Sequence, residues 1–164
     1  MSLPHRKSPR LKGYDYSTPG EYFITICTKG RREILSDIIV GDDAHIVPEN
    51  ILSPTGLICD KYIRNINNLY ENITIDKYVI MPNHIHLIIF LHGMMRASSP
   101  TKNISSIIRS LKIMVTKELG YSLWQRSYHD HIIRDENDYL KIWEYIDTNP
   151  LKWKLDCFYN LGTP

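Results

Sequence analysis

Residues 81–90 read Met81-Pro82-Asn83-His84-Ile85-His86-Leu87-Ile88-Ile89-Phe90. From His84 onward the run is apolar and β-branched, the pattern of a buried strand. Side chains alternate faces along a strand, so His84 and His86 share one face while Ile85 points to the other. Two imidazoles side by side on a rigid strand are half of a divalent-metal site. A His-x-His pair also occurs as a purely structural pair, so other parts of the chain must supply the rest.

Working outward, Ile73 to Ile80 (ITIDKYVI) is a second core strand, close enough through Pro82 to pair antiparallel with the first. Glu21 to Thr28 (EYFITICT) is also strand material. Residues 34–40 and 44–47 flank Gly41-Asp42-Asp43 and read as a hairpin. Leu52-Ser53-Pro54-Thr55-Gly56 looks like a helix entry, followed to about Tyr70 by a stripe of Leu57, Ile58, Tyr62, Ile66 and Leu69. On the other side, residues 92–102 read as a loop. Asn103 caps a helix that Gly120 closes, with Ile104, Ile107, Ile108, Leu111 and Val115 as its buried stripe. Ser127 to Arg134 reads as a strand, and a last helix begins at Asp135 or Glu136 and stops at Pro150. The order predicts an α+β fold: a ferredoxin-like antiparallel sheet with helices on one face and a C-terminal helix carrying Tyr145. Residues 1–20 form a basic N-terminal arm and 21–164 a single domain, onto which the tail with Trp153 and Phe158 packs back.

The composition admits one soluble domain. Its 164 residues are 43% hydrophobic and 23% charged, ordinary for a globular protein. Cys27, Cys59 and Cys157 are odd in number and widely spaced, which argues against a disulfide framework and for a reducing cytoplasm. The start is basic without the apolar core of a signal peptide, and no run approaches the length of a membrane span. The net charge of +2 is too small to prove a nucleic-acid partner, but its distribution is suggestive. Arg6, Lys7, Arg10 and Lys12 precede the first acid, and Arg31 and Arg32 follow the first strand. On the helix after Asn103, Ser105, Arg109, Lys112 and Thr116 fall within about 40° of arc. These bases are the candidates for phosphate-backbone contacts; a solvated tail and an ordinary wet helix face are the alternatives.

On a wheel of the last helix, Tyr139 lies at the centre of the core stripe. Tyr145 and Asn149 are i, i+4 neighbours on its flank, with Asp138 on the same flank. A flank position can meet a groove at the sheet. The tyrosine hydroxyl is a poor nucleophile at its ordinary pKa of about 10 unless a cation or nearby positive charge assists. His84, His86 and an amide oxygen from Asn149 would suit manganese, with magnesium as the alternative. Zinc is less favoured because no thiolate or carboxylate completes an evident tetrahedral set. Tyr128 and Tyr139 compete as nucleophiles, but Tyr139 points to the core and Tyr128 lies on the strand face opposite His129 and His131.

MPNHIH with its apolar strand, LWQRSYHDHIIRDENDY and WEYIDTNPLKW together resemble the REP-associated tyrosine transposases. These are a branch of the single-tyrosine HUH transposases of the bacterial insertion-sequence type. The opening RLKGYDYSTPGEYFITICTKGRRE and the helix ISSIIRSLKIMVTKEL are similar to that family too, so the resemblance spans about Arg10 to Lys154. It implies that His84 and His86 bind a divalent metal, Mn or Mg, that Tyr145 is the nucleophile, and that Asn149 stands at the third ligand position. The implied reaction cleaves single-stranded DNA through a 5′-phosphotyrosine on Tyr145, frees a 3′-hydroxyl and later rejoins DNA. The implied partner is single-stranded or hairpin DNA with imperfect palindromes. A homodimer is slightly favoured over a monomer. A hairpin-binding protein that no longer cuts, and a metal-dependent phosphodiesterase using water, remain the alternatives.

Overall fold

The structure, a computed structural model, describes residues 13–39, 48–93 and 103–159. Its centre is the quoted stretch, strand β5 (His84–Leu91). β5 pairs antiparallel with β4 (Ile73–Ile80) on one side and β1 (Gly20–Cys27) on the other. The sheet order is β4-β5-β1-β6, with β6 (His129–Ile133) on the outer edge of β1. A strand bonded on both sides and covered on both faces has little room for polar groups. All but one of the β5 residues are accordingly buried, the two histidines included. The apolar run is therefore an interior strand of the chain's own sheet, and neither of its edges is free to extend the sheet to another chain.

The alternation along β5 divides the core in two. Ile85, Leu87, Ile89 and Leu91 join Tyr22, Ile24 and Ile26 of β1 against helices α1 (Pro54–Leu69) and α2 (Ile104–Leu119). Ile88 instead meets Ile133 and Ile146, on the side covered by helix α3 (Glu136–Thr148). The expectation of helices on one face thus describes α1 and α2, whereas α3 crosses the opposite face. The composition of α3 explains the difference. Its one buried residue is Ile146, enough to cover part of a sheet face that elsewhere carries Thr25, His84 and His86.

Local signals account for the helix ends. Ser53 accepts a hydrogen bond from the Gly56 amide and Asn103 from the Ser106 amide, and Gly120 takes the left-handed conformation (φ 75°) that closes α2. In α1 the buried positions are Gly56, Cys59, Ile63 and Ile66, whereas Leu57 and Leu69 of the expected stripe are exposed. The cause is Gly56, which packs so tightly on the Leu35 carbonyl that an added Cβ would lie 2.0 Å from its oxygen. That approach turns the 56, 59, 63, 66 row toward the sheet. The hairpin after β1 pairs β2 (Ser36–Ile39) with β3 (Glu49–Leu52). Its return arm is thus later than the expected 44–47, which lies with the Gly41-Asp42-Asp43 turn outside the described residues. Tyr14 and Tyr16, expected in the arm, instead pack around Tyr22, and the Tyr16 hydroxyl donates to Asp130. Among the described residues, no helix is long and apolar enough to cross a membrane.

Candidate metal and nucleophile site

His84 and His86 lie side by side on the α3 face, with their Nε2 atoms 2.9 Å apart. The outer nitrogen of each ring is held. His84 Nδ1 lies 2.8 Å from Asn83 Oδ1. The Asn83 amide is itself oriented by donation from its Nδ2 to the Phe158 carbonyl at 2.8 Å. An amide oxygen only accepts, so His84 carries its proton on Nδ1 and turns a bare Nε2 lone pair into the site. His86 Nδ1 lies 2.8 Å from the Thr25 hydroxyl, which can donate or accept and so permits either tautomer. Burial first of all keeps both rings neutral. His84 is pulled down to about 4, with Asp156 opposing the shift and Arg31 adding to it. His86 is held well below the ordinary value, His84 adding to the effect of burial. Two neutral imidazoles with converging nitrogens form a donor pair suited to a divalent cation.

α3 brings the tyrosine to this pair. The Tyr145 hydroxyl is 3.3 Å from His86 Nε2 in the same chain, and its ring packs edge-on to both Phe23 and His86. Burial, followed by the negative charge of Asp156, pushes its phenol well above the ordinary tyrosine value. The hydroxyl is therefore protonated here and donates to Asp156 Oδ2 at 3.1 Å. Asn149 is buried at the end of α3, and its Nδ2 donates to the same Asp156 oxygen at 2.7 Å. Its Oδ1 is buried without a partner. A residue before proline is biased away from α geometry, yet Asn149 keeps it (φ −58°, ψ −42°). The chain goes on turning there, with the Lys152 amide reaching back to the Thr148 and Asn149 carbonyls.

Asp156 is the residue that inspection of the sequence missed. Its carboxylate and the two imidazoles present ligand atoms that all lie within 4.8 Å of one another. The described part of the tail, residues 151–159, packs back as expected, and it does so over the site. Phe158 lies 4.5 Å from the His84 ring, Trp153 is buried beside it, and Arg31 stacks on Phe158 while donating to the Cys157 carbonyl. Cys27 sits directly across from His84 in the sheet, but burial pushes its thiol up to about 11, so it offers no thiolate near neutral pH.

The competing tyrosines are engaged elsewhere. Tyr128 is buried with its hydroxyl 2.9 Å from Ser105 Oγ, and Tyr139 donates to Asp76. Asp138, on the Tyr145 flank, pairs with His131 at 2.8 Å instead of entering the site. Of the basic residues expected along a phosphate backbone, Arg32 and Arg109 are exposed. Arg31 is tied to the tail, and Lys112 donates to the Gln125 and Ser127 carbonyls at 2.9 and 2.8 Å. Ser105 and Lys112 of α2 thus contact the segment leading to β6, while Arg109 on the same face is exposed. Arg6, Lys7, Arg10 and Lys12 lie outside the described residues.

Comparison with known proteins adds independent information. A family model described as "Transposase IS200 like" matches residues 16–149. An uncharacterized protein of Haemophilus influenzae is 35% identical, covering 96% of this chain and 94% of its own length. A second protein of that organism, named provisionally as a REP-associated tyrosine transposase, is 27% identical over 84% of this chain and 74% of its own. Among solved structures, a REP-associated tyrosine transposase bound to a REP hairpin shares the fold, with a TM-score of 0.60 and 23% identity. That match covers 93% of this chain and 74% of the other.

Proposed function

The chain belongs to the IS200-like transposase family, and on that premise we propose that it nicks and rejoins single-stranded DNA with Tyr145 as nucleophile. The observation that carries this reading is the 3.3 Å approach of the Tyr145 hydroxyl to His86 Nε2, itself 2.9 Å from His84 Nε2. A tyrosine that serves only as packing has no need to place its hydroxyl on a pair of converging imidazole nitrogens.

In this reading His84 and His86 hold a divalent cation, manganese or magnesium, with Asn149 or another oxygen donor of the same cluster completing the set. Such a cation, when bound, would supply Lewis-acid withdrawal of charge from the scissile phosphate. Tyr145 Oη forms a bond to phosphorus and gives up its proton, while the bond to the 3′ oxygen breaks and that oxygen takes up a proton. The 5′ phosphate is then esterified to Tyr145. Attack by a 3′-hydroxyl, from the same strand or another, reverses the exchange and frees the tyrosine. One phosphodiester is traded for another, so no ATP is consumed. The substrate is hairpin DNA with an imperfect palindrome, by analogy with the REP hairpin held by the structural neighbour. In this reading Tyr145 acts beside the histidines of its own chain.

The test is incubation with manganese and labelled hairpin DNA, followed by a denaturing gel. A protein-linked band lost in Tyr145→Phe and kept in Tyr128→Phe supports the reading. Cleavage that persists in Tyr145→Phe indicates activated water instead, and tight binding with neither adduct nor cleavage indicates a binding protein.

A further inference from the structure

We infer that Asp156, rather than Asn149, supplies the third protein ligand of the metal site, and that Asn149 is the positioning residue that aims it. This rests on the reading of His84 and His86 as metal ligands.

Charge is the first reason. Two neutral imidazoles and a neutral amide leave the full charge of a divalent cation uncompensated in a site walled by Phe23, Trp153 and Phe158. A carboxylate removes half of that charge, and hard divalent cations favour carboxylate oxygen over amide oxygen in affinity. Among the described residues, Asp156 is the carboxylate whose oxygen groups with a nitrogen of each histidine, all within 4.8 Å of one another.

Orientation is the second reason. Asn149 turns its Nδ2 toward Asp156 Oδ2 at 2.7 Å, so the amide acts as a donor to the carboxylate, with its oxygen left without a partner. Turning the amide oxygen to the site would set two acceptors against each other at that separation. Asp156 Oδ1 is independently fixed by the Phe158 amide at 2.7 Å. Phe158 in turn is held by donation from Asn83, the residue that also orients His84. One hydrogen-bonded chain therefore aligns His84 and Asp156 together. Metal sites are typically supported by partners that orient each ligand; here Asn83 and Asn149 take those parts.

Mn(II) titration followed by electron paramagnetic resonance tests the assignment on the whole chain, without DNA. Asp156→Asn keeps the size and the acceptor oxygen but removes the charge. It should weaken Mn(II) binding by about 100-fold or more, while Asn149→Ala should weaken it by about tenfold, as loss of an orienting partner does. Circular dichroism melting confirms that each variant folds. As a second variant, Asp156→Cys loaded with Co(II) should show a sulfur-to-cobalt charge-transfer band that the wild type lacks. Wild-type affinity in Asp156→Asn, or a larger loss in Asn149→Ala than in Asp156→Asn, overturns the assignment while leaving the histidine site standing. Mn(II) binding by the wild type no tighter than by His84→Ala/His86→Ala removes the metal site itself, and with it the role of Asp156.

Discussion

Acid should destabilise the metal-free protein through its two buried histidines. In the folded chain burial holds His84 down at about 4 and His86 well below its ordinary value, while in the unfolded chain both titrate near 6.5. The unfolded state therefore binds protons that the folded state refuses. Stability is intact above about pH 6.5 and is lost as pH falls toward the folded values. For a histidine shifted as far as His84, the drop from pH 6.5 to 4.5 costs about 2 kcal/mol, and His86 adds a loss of the same sign. That is a large share of the ~5–15 kcal/mol by which a domain is stable. The assay is urea unfolding followed by circular dichroism in EDTA, in steps from pH 7 to 4.5, for the wild type and for His84→Gln/His86→Gln. Carboxylates and the other histidines act alike in both proteins, so the difference between the two curves isolates the pair. The wild type should lose at least about 2 kcal/mol more than the variant over that range. Parallel curves would refute the claim that these rings are buried and neutral.

Two further substitutions probe the frame around the site. Gly56→Ala sets a Cβ 2.0 Å from the Leu35 carbonyl oxygen and 3.0 Å from its carbon, and backbone cannot step aside as a side chain can. Urea unfolding should show a loss of about 1–3 kcal/mol or more, and wild-type stability would mean that α1 is not seated on Leu35. Asn83→Ala leaves His84 Nδ1 and the Phe158 carbonyl without their partner. Calorimetric titration should show Mn(II) affinity reduced by about 10–100-fold, and an unchanged affinity would remove Asn83 from the orientation of His84.

The parts of the fold legible in the sequence are those governed by local rules. β4 and β5 are read from apolar runs, and α2 from the Asn103 cap, the isoleucine stripe and Gly120. The flank position of Tyr145 on α3 was legible for the same reason, since a helix wheel needs only the spacing. Long-range contacts were not legible. The rotation of α1 depends on Leu35 meeting Gly56, and the face chosen by α3 depends on which side of the sheet α1 and α2 leave uncovered. Lys112 has the spacing of a surface cation, yet its amine is used on the Gln125 and Ser127 carbonyls. Asp156 lies beyond α3 in a segment with no periodicity. Its arrival beside the histidines follows from Phe158 packing on the His84 ring. A search for any carboxylate within reach of the HIH strand would have named it among several acids without selecting it.

If Tyr145 itself takes the DNA phosphate, the phosphate must be found on its side chain. The most direct measurement is to trap the adduct with manganese and hairpin DNA, digest the DNA and the protein, and locate the remaining nucleotide by peptide mass spectrometry. A phosphotyrosyl nucleotide is expected on the peptide containing Tyr145, linked through the 5′ phosphate, and absent from Tyr145→Phe. A nucleotide on Tyr128 or Tyr139, or cleaved DNA with no protein-linked phosphate, would contradict it.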